Sequence, residues 1–304
     1  MRFAIRAIAL LIALIATVAI LPANARVELL HQERSLYRTI FVTQNGDQRC
    51  MTFRYPREAG RQSCKLLHQP DWLVFDYTRL LLSGLCLNPN PHRILIIGEG
   101  GGTLPTALQE MFPDVRIDVV ELDRAVDSVA RGYFDFRPGP KMRVIVSDGR
   151  IFVKRVAAQK PDYDLVLLDA FEADYIPEHM LTREFLEEVK STMAPGGVIV
   201  ANTFSNSVLY DHESATYREV FGPFFNLKLQ NRIVLGRKGG IAPDDLAHAN
   251  WNAAALEAEL NKRGTSSAAI LKLMNPAIDW DPQARILTDQ YSPSNLLNAM
   301  PRNK

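Results

Sequence analysis

From residue 93 onward the chain repeats one pattern: a short apolar run, a turn, then a segment with helical spacing. The run 93–97, Arg-Ile-Leu-Ile-Ile, is apolar at consecutive positions. That suits a strand covered by helices on both faces of a parallel sheet. Further runs at 117–122, 143–146, 163–168 and 198–202 alternate with helical segments ending near 112 and at 124–133, 150–158 and 182–193. The alternation predicts an α/β fold with a doubly wound sheet. Residues 227–235 are expected to add two strands joined by a tight turn near Asn231, giving a mostly parallel seven-stranded sheet. The alanine-rich segment 244–262 is expected to be helical.

Before residue 89 the texture differs. Short strands are expected at 37–42, 50–55 and 62–67, with a hairpin loop at 56–60 and a helix at 71–82. Pro89 and Pro91 mark a boundary, so 26–88 and 89–304 are expected to form two units. Cys50 and Cys64 lie symmetrically about Arg57, the centre of the hairpin loop. Pairing would set them opposite each other, so a Cys50–Cys64 disulfide is expected, with Cys86 free; three reduced, buried cysteines are the alternative.

Residues 1–25 have the layout of a secretory signal. Arg2 and Arg6 precede an apolar run at 7–21, shorter than the roughly 20 residues of a membrane span. Ala23-Asn24-Ala25 then forms a small-x-small cleavage site. Export to the periplasm or medium is expected, with a mature chain from Arg26. An uncleaved anchor, the one expected route to a membrane, is the alternative. Composition excludes other classes. Lysine plus arginine is 35 against 34 for aspartate plus glutamate, so there is no basic excess for nucleic acid. The 6 histidines are dispersed and give no ligand spacing with the 3 cysteines, so no metal is expected.

Three constellations could carry chemistry. Gly98-Glu99-Gly100-Gly101-Gly102-Thr103 lies between a strand and a helix, where glycines admit a ligand to the backbone and the helix start offers free N–H groups. Glu121 follows roughly 20 residues later at the end of the second strand, where an acid accepts from ribose hydroxyls. Ser147-Asp148-Gly149 ends the third strand; Asp148 can accept an adenine amine or cap the following helix. Asp169-Ala170-Phe171-Glu172 ends the fourth strand, next to the glycine loop in this topology. Its carboxylates can hold a cationic substrate or take its proton, or form a solvated acidic loop with Asp174 and Glu178.

Together these residues resemble the spermidine synthase family of aminopropyltransferases, which share the Rossmann-like fold of class I AdoMet-dependent methyltransferases. The resemblance runs from about Glu33 to Leu297. It rests on Ile94-Leu-Ile-Ile-Gly98 through Leu104, Val119-Val-Glu121-Leu-Asp123, Ser147-Asp148-Gly149-Arg-Ile-Phe152, Tyr163-Asp-Leu-Val-Leu-Leu-Asp169, Gln62 and Leu287-Thr288-Asp289. It implies a small N-terminal β-domain before the main sheet, and decarboxylated S-adenosylmethionine (or S-adenosylmethionine) as co-substrate, with no tightly bound cofactor. Gly98, Gly100, Gly101, Glu121, Asp148 and Gly149 would hold that donor. Gln62, Asp76 and Tyr77 would bind a small amine, as in polyamine biosynthesis, with Asp169 and Glu172 catalytic; a homodimer is allowed. Three positions depart from the family. Gly101 stands where the loop normally carries an aspartate, Phe75-Asp76-Tyr77 replaces a Tyr-His-Glu run, and Glu172 replaces an aspartate. A methyltransferase, or an exported non-catalytic nucleoside- or polyamine-binding protein, are the other readings.

Overall fold

The computed structural model describes residues 27–55, 60–170, 175–204, 206–242 and 254–302. The signal-like segment lies outside them. An antiparallel sheet comes first, in the order β1 (Glu28–Arg34), β2 (Thr39–Asn45), β3 (Gln48–Thr52), β4 (Arg61–Leu66). Three strands were expected here; β1 is a fourth, at the sheet edge. The β3–β4 register sets Cys50 opposite Cys64, and the two form a disulfide with Cα atoms 4.1 Å apart. Cys86 is free and buried.

The expected helix at 71–82 is shorter. Helix α1 covers Asp76–Leu81 and passes into a 3-10 turn at Leu82–Cys86. Its predicted first turn does not form, and the Leu73 N–H donates instead to the Arg263 carbonyl at 3.3 Å. That tertiary bond has no trace in local periodicity.

The main sheet has seven strands: β5 (Arg93–Ile97), β6 (Arg116–Glu121), β7 (Met142–Val146), β8 (Tyr163–Leu168), β9 (Met193–Thr203), β10 (Phe225–Lys228) and β11 (Arg232–Arg237). Their order is β10-β11-β9-β8-β5-β6-β7. The five strands β5 to β9 are parallel; β11 runs antiparallel to β9, and β10 to β11. Helices α2 (Thr103–Met111), α3 (Arg124–Tyr133), α4 (Gly149–Ala157) and α5 (Arg183–Thr192) connect the parallel strands, and α6 (Leu209–Phe221) follows β9. Caps set two of the helix starts: Asp123 accepts from the Ala125 N–H at 3.0 Å, and Thr182 from the Phe185 N–H at 3.2 Å. Helices α7 (Ala254–Lys262), α8 (Ser267–Leu273) and α9 (Ser294–Ala299) complete the chain. The first part of the expected 244–262 helix lies outside the described residues.

Alternate residues of each strand feed two cores. Ile94, Ile96, Leu165 and Leu167 pack with Leu81, Leu104, Leu108 and Leu260. Leu95, Ile97, Val166 and Leu168 pack with Phe152, Phe185, Val189 and Phe221 on the opposite face. A third cluster joins the N-terminal sheet to α3, with Ile40, Val42 and Met51 against Val126, Val129 and Phe134. That contact positions the first sheet beside the C-terminal ends of β5 and β6. No helix among the described residues is long and apolar enough to cross a membrane.

Candidate active site

The chain runs outward from β5 to β6 and β7, then crosses back to β8 on the other side of β5, which makes the β5/β8 boundary the switch point where such sheets open a crevice. The backbone brings the site together there. The Asp169 N–H donates to the Ile97 carbonyl at 2.8 Å, Gly98 N–H to Val120 carbonyl at 2.8 Å, and Ser147 N–H to Glu121 carbonyl at 2.9 Å. Gly98 has φ +101°, and a Cβ there would lie 2.2 Å from the Asp169 carbonyl oxygen. Only glycine allows this approach. Above these strand ends lies a cavity of about 580 Å³, closed from the other side by Tyr37, Arg38, Phe53, Gln62 and Ser63 of the N-terminal sheet.

Gly98, Gly100, Glu121, Asp148 and Gly149 all line the cavity. Glu121 Oε2 accepts from the Glu99 N–H at 3.1 Å and Oε1 from the Asp123 N–H at 2.9 Å. Burial raises the Glu121 carboxyl above its usual range, opposed by those two bonds and by Arg38. Asp148 fills the capping role considered for it. Its Oδ1 accepts from the Ile151 N–H at 2.9 Å and caps α4, while the residue also faces the cavity.

Asp169 sits at the end of β8. Burial pushes its carboxyl up to about 7, against a hydrogen bond from Asn202 Nδ2 to Oδ1 at 2.9 Å that favours the ionised form. Asn202 Oδ1 in turn accepts from Asn231 Nδ2 at 2.9 Å. Tyr77 lines the same cavity and feels the same carboxylate. Burial first, then the Asp169 charge, hold its phenol well above the ordinary value, so it faces the cavity neutral. Its hydroxyl donates to the Gln62 carbonyl at 3.4 Å, and both residues line the cavity. An aromatic neutral wall beside a carboxylate poised near neutrality can seat an amine and accept its proton. Glu172 lies outside the described residues.

Two expectations are corrected. Asp76 is exposed and paired with Arg79, and it lines a separate cleft with Trp72 and Leu229. Successive helical residues point about 100° apart, so with Tyr77 turned inward Asp76 must face away. Gly101 does not line the cavity. A Cβ there would come 2.7 Å from Ser63 Oγ and 2.9 Å from Phe134 Cδ1, so this glycine admits the N-terminal sheet rather than a ligand.

Sequence reasoning missed several lining residues. Tyr37, Arg38 and Phe53 arrive from the first sheet, and only its docking on α3 announces them. His179 also lines the cavity. Glu99, inside the glycine loop, is 5% exposed. Burial, with the nearby Asp127 and Glu121 charges, pushes its carboxyl up to about 9, opposed by Arg131. No group of three or more potential metal ligands occurs among the described residues.

Known proteins resemble this chain in sequence and in fold. Residues 75–226 match the spermine/spermidine synthase domain. A polyamine aminopropyltransferase of Vibrio vulnificus is 43% identical over 298 residues, covering 96% of this chain and 99% of the relative. The crystal structure of a probable spermidine synthase from Corynebacterium glutamicum superposes with TM-score 0.62 at 22% identity, covering 83% of this chain and 96% of that one, and shows the shared fold. Human methyltransferase-like protein 13, solved with SAH, gives TM-score 0.54 at 27% identity over 65% of this chain and 98% of that one. By near-full-length similarity and by the domain it matches, the chain belongs to the spermine/spermidine synthase family.

Proposed function

We propose that the chain transfers an aminopropyl group from decarboxylated S-adenosylmethionine to a small amine of the polyamine class. The observation that carries this reading is Asp169, a carboxyl poised near 7 on the cavity floor between the glycine loop and Tyr77. The nucleoside would lie along Gly98, Gly100, Glu121, Asp148 and Gly149. The amine would enter along Tyr77 and Gln62, with Glu172 as its second carboxylate. An amine nitrogen attacks the carbon beside the sulfonium, a C–N bond forms, and the C–S bond breaks with its electron pair leaving on methylthioadenosine. The nitrogen's proton goes to Asp169. Holding both reactants in line supplies much of the acceleration, and the base supplies roughly 10²–10⁴-fold more.

The test is mass spectrometry of products after incubation with S-adenosylmethionine or its decarboxylated form and a panel of amines. An aminopropylated amine with methylthioadenosine supports the reading, and no turnover with any pair refutes it. A methylated product would favour the second reading, a methyltransferase, which the similarity to human methyltransferase-like protein 13 supports.

We also propose export, with cleavage after Ala25. The basic start, the apolar run and the Ala-x-Ala site support it, as does a disulfide in the first sheet, a bond suited to an oxidising compartment. N-terminal sequencing of protein from the periplasmic or extracellular fraction should begin at Arg26. Full-length soluble protein in the cytoplasm would refute export.

A further inference from the structure

His179 stands at the seam between the cavity and a neighbouring cleft of about 570 Å³ lined by Arg150, Thr182 and Asp289, and its side chain is 46% exposed. Its Nε2 lies 2.9 Å from Asp148 Oδ2. An ionised carboxylate only accepts, so in that pair Nε2 carries the hydrogen. The His179 carbonyl accepts from Arg150 Nη1 at 3.1 Å. Arg150 is itself immobilised. Its Nε and Nη2 each donate to Glu188 at 2.9 Å, and its Nη1 and Nη2 donate to Asp289 at 2.7 and 2.8 Å. Asp148, the N-cap of α4, and Arg150, in its first turn, therefore grip His179 by side chain and main chain.

We propose that His179 is a specificity-determining positioning residue: its imidazole fixes the plane of the Asp148 carboxylate so that Oδ2 faces a purine amine. The proposal rests on reading the cavity as an adenine nucleoside site. Asp148 Oδ1 is held by the Ile151 N–H at 2.9 Å. Held by that oxygen alone, the carboxylate can turn its other oxygen toward water. Held by both, it keeps a lone pair of Oδ2 for an exocyclic amine. Adenine presents a donor there; hypoxanthine presents a carbonyl, which would meet a fixed carboxylate oxygen with no proton between them. A site built to bond one group rejects the analogue lacking it. The same contact ties base recognition to the 3-10 turn Glu178–Met180, on which His179 lies.

The test is calorimetric binding of 5′-methylthioadenosine and 5′-methylthioinosine to the full chain and to His179→Ala and His179→Gln. The wild type should prefer the adenine nucleoside by roughly tenfold to a hundredfold. In His179→Ala the ratio should fall to about threefold or less, and His179→Gln, whose amide can still donate to Asp148, should recover most of it. A His179→Ala variant that keeps the wild-type ratio, whatever happens to both affinities, overturns the proposal. Wild-type protein that binds neither nucleoside overturns the adenine-site reading itself, and the proposal with it.

Discussion

Asn202→Ala removes the one side-chain hydrogen bond among the described residues that favours ionised Asp169, the 2.9 Å contact from Nδ2 to Oδ1. With that bond in place the carboxyl sits at about 7, where burial has pushed it. A hydrogen bond to a charged group contributes about 1.5–3 kcal/mol, and 1.36 kcal/mol is one pKa unit, so the loss should raise Asp169 by roughly 1–2 units. The sign follows from the role. A base acts when ionised, so raising its pKa depletes the active form near neutrality and spares it at high pH. At pH 7 the ionised fraction should drop from about one half to roughly 1–10%. Turnover there should fall roughly 5–50-fold and approach the wild-type rate above about pH 9. The assay is methylthioadenosine release, as kcat/KM against pH, with Asp169→Asn run in parallel to separate the ascending limb of the amine itself. Asn231→Ala removes only the outer link, to Asn202 Oδ1, and should move the limb less. An ascending limb that stays in place in Asn202→Ala, or a loss of rate equal at every pH, would refute the assignment of Asp169 as the base.

Asp169→Asn should lower turnover by roughly 10²–10⁴-fold while methylthioadenosine binding, read by calorimetry, survives; loss of binding would move Asp169 from chemistry to donor binding. Glu99, raised in the fold to about 9, favours the folded state fully below its unfolded pKa and loses that contribution as pH rises toward 9. Between roughly pH 6 and 8 its share of the unfolding free energy should fall by about 1.4 kcal/mol per unit, and Glu99→Gln should flatten the slope by that amount in denaturant titrations. Parallel slopes would show that the carboxyl is ionised throughout. Cys50→Ser should cost about 3 kcal/mol by chemical denaturation, since the Cys50–Cys64 link closes a short loop; an unchanged midpoint would mean the link is not formed in the protein. Gly101→Asp, which restores the acid usual in the family, should destabilise by about 1–3 kcal/mol because its Cβ meets Ser63 and Phe134; a stable, more active variant would refute the packing role.

Much of the main sheet could be read from residues alone. Strands Arg93–Ile97 and Tyr163–Leu168 are covered on both faces along most of their length, so burial writes itself as the apolar runs 94–97 and 165–168. Helix Arg124–Tyr133 was legible because its cap and apolar stripe are local. Cys50 opposite Cys64 followed from hairpin symmetry. Glu121, Asp148 and Asp169 stood out as polar residues closing apolar strands, and topology carries strand ends to one edge.

What the sequence could not decide depends on contacts between distant segments. Leu73 finds its partner at Arg263, so α1 starts later than its periodicity suggests. Asp76 and Tyr77 are neighbours in the chain, and only packing against the cavity selects which of them turns inward. Gly101 looked like a ligand contact until Ser63 and Phe134 closed over it. Tyr37, Arg38 and Phe53 reach the site because a whole sheet docks on α3. The shift that raises the Asp169 carboxyl to about 7 has the same origin. Its residue type and position were visible from the start, but a pKa responds to the solvent removed and the partners gathered, and both are properties of the assembled fold.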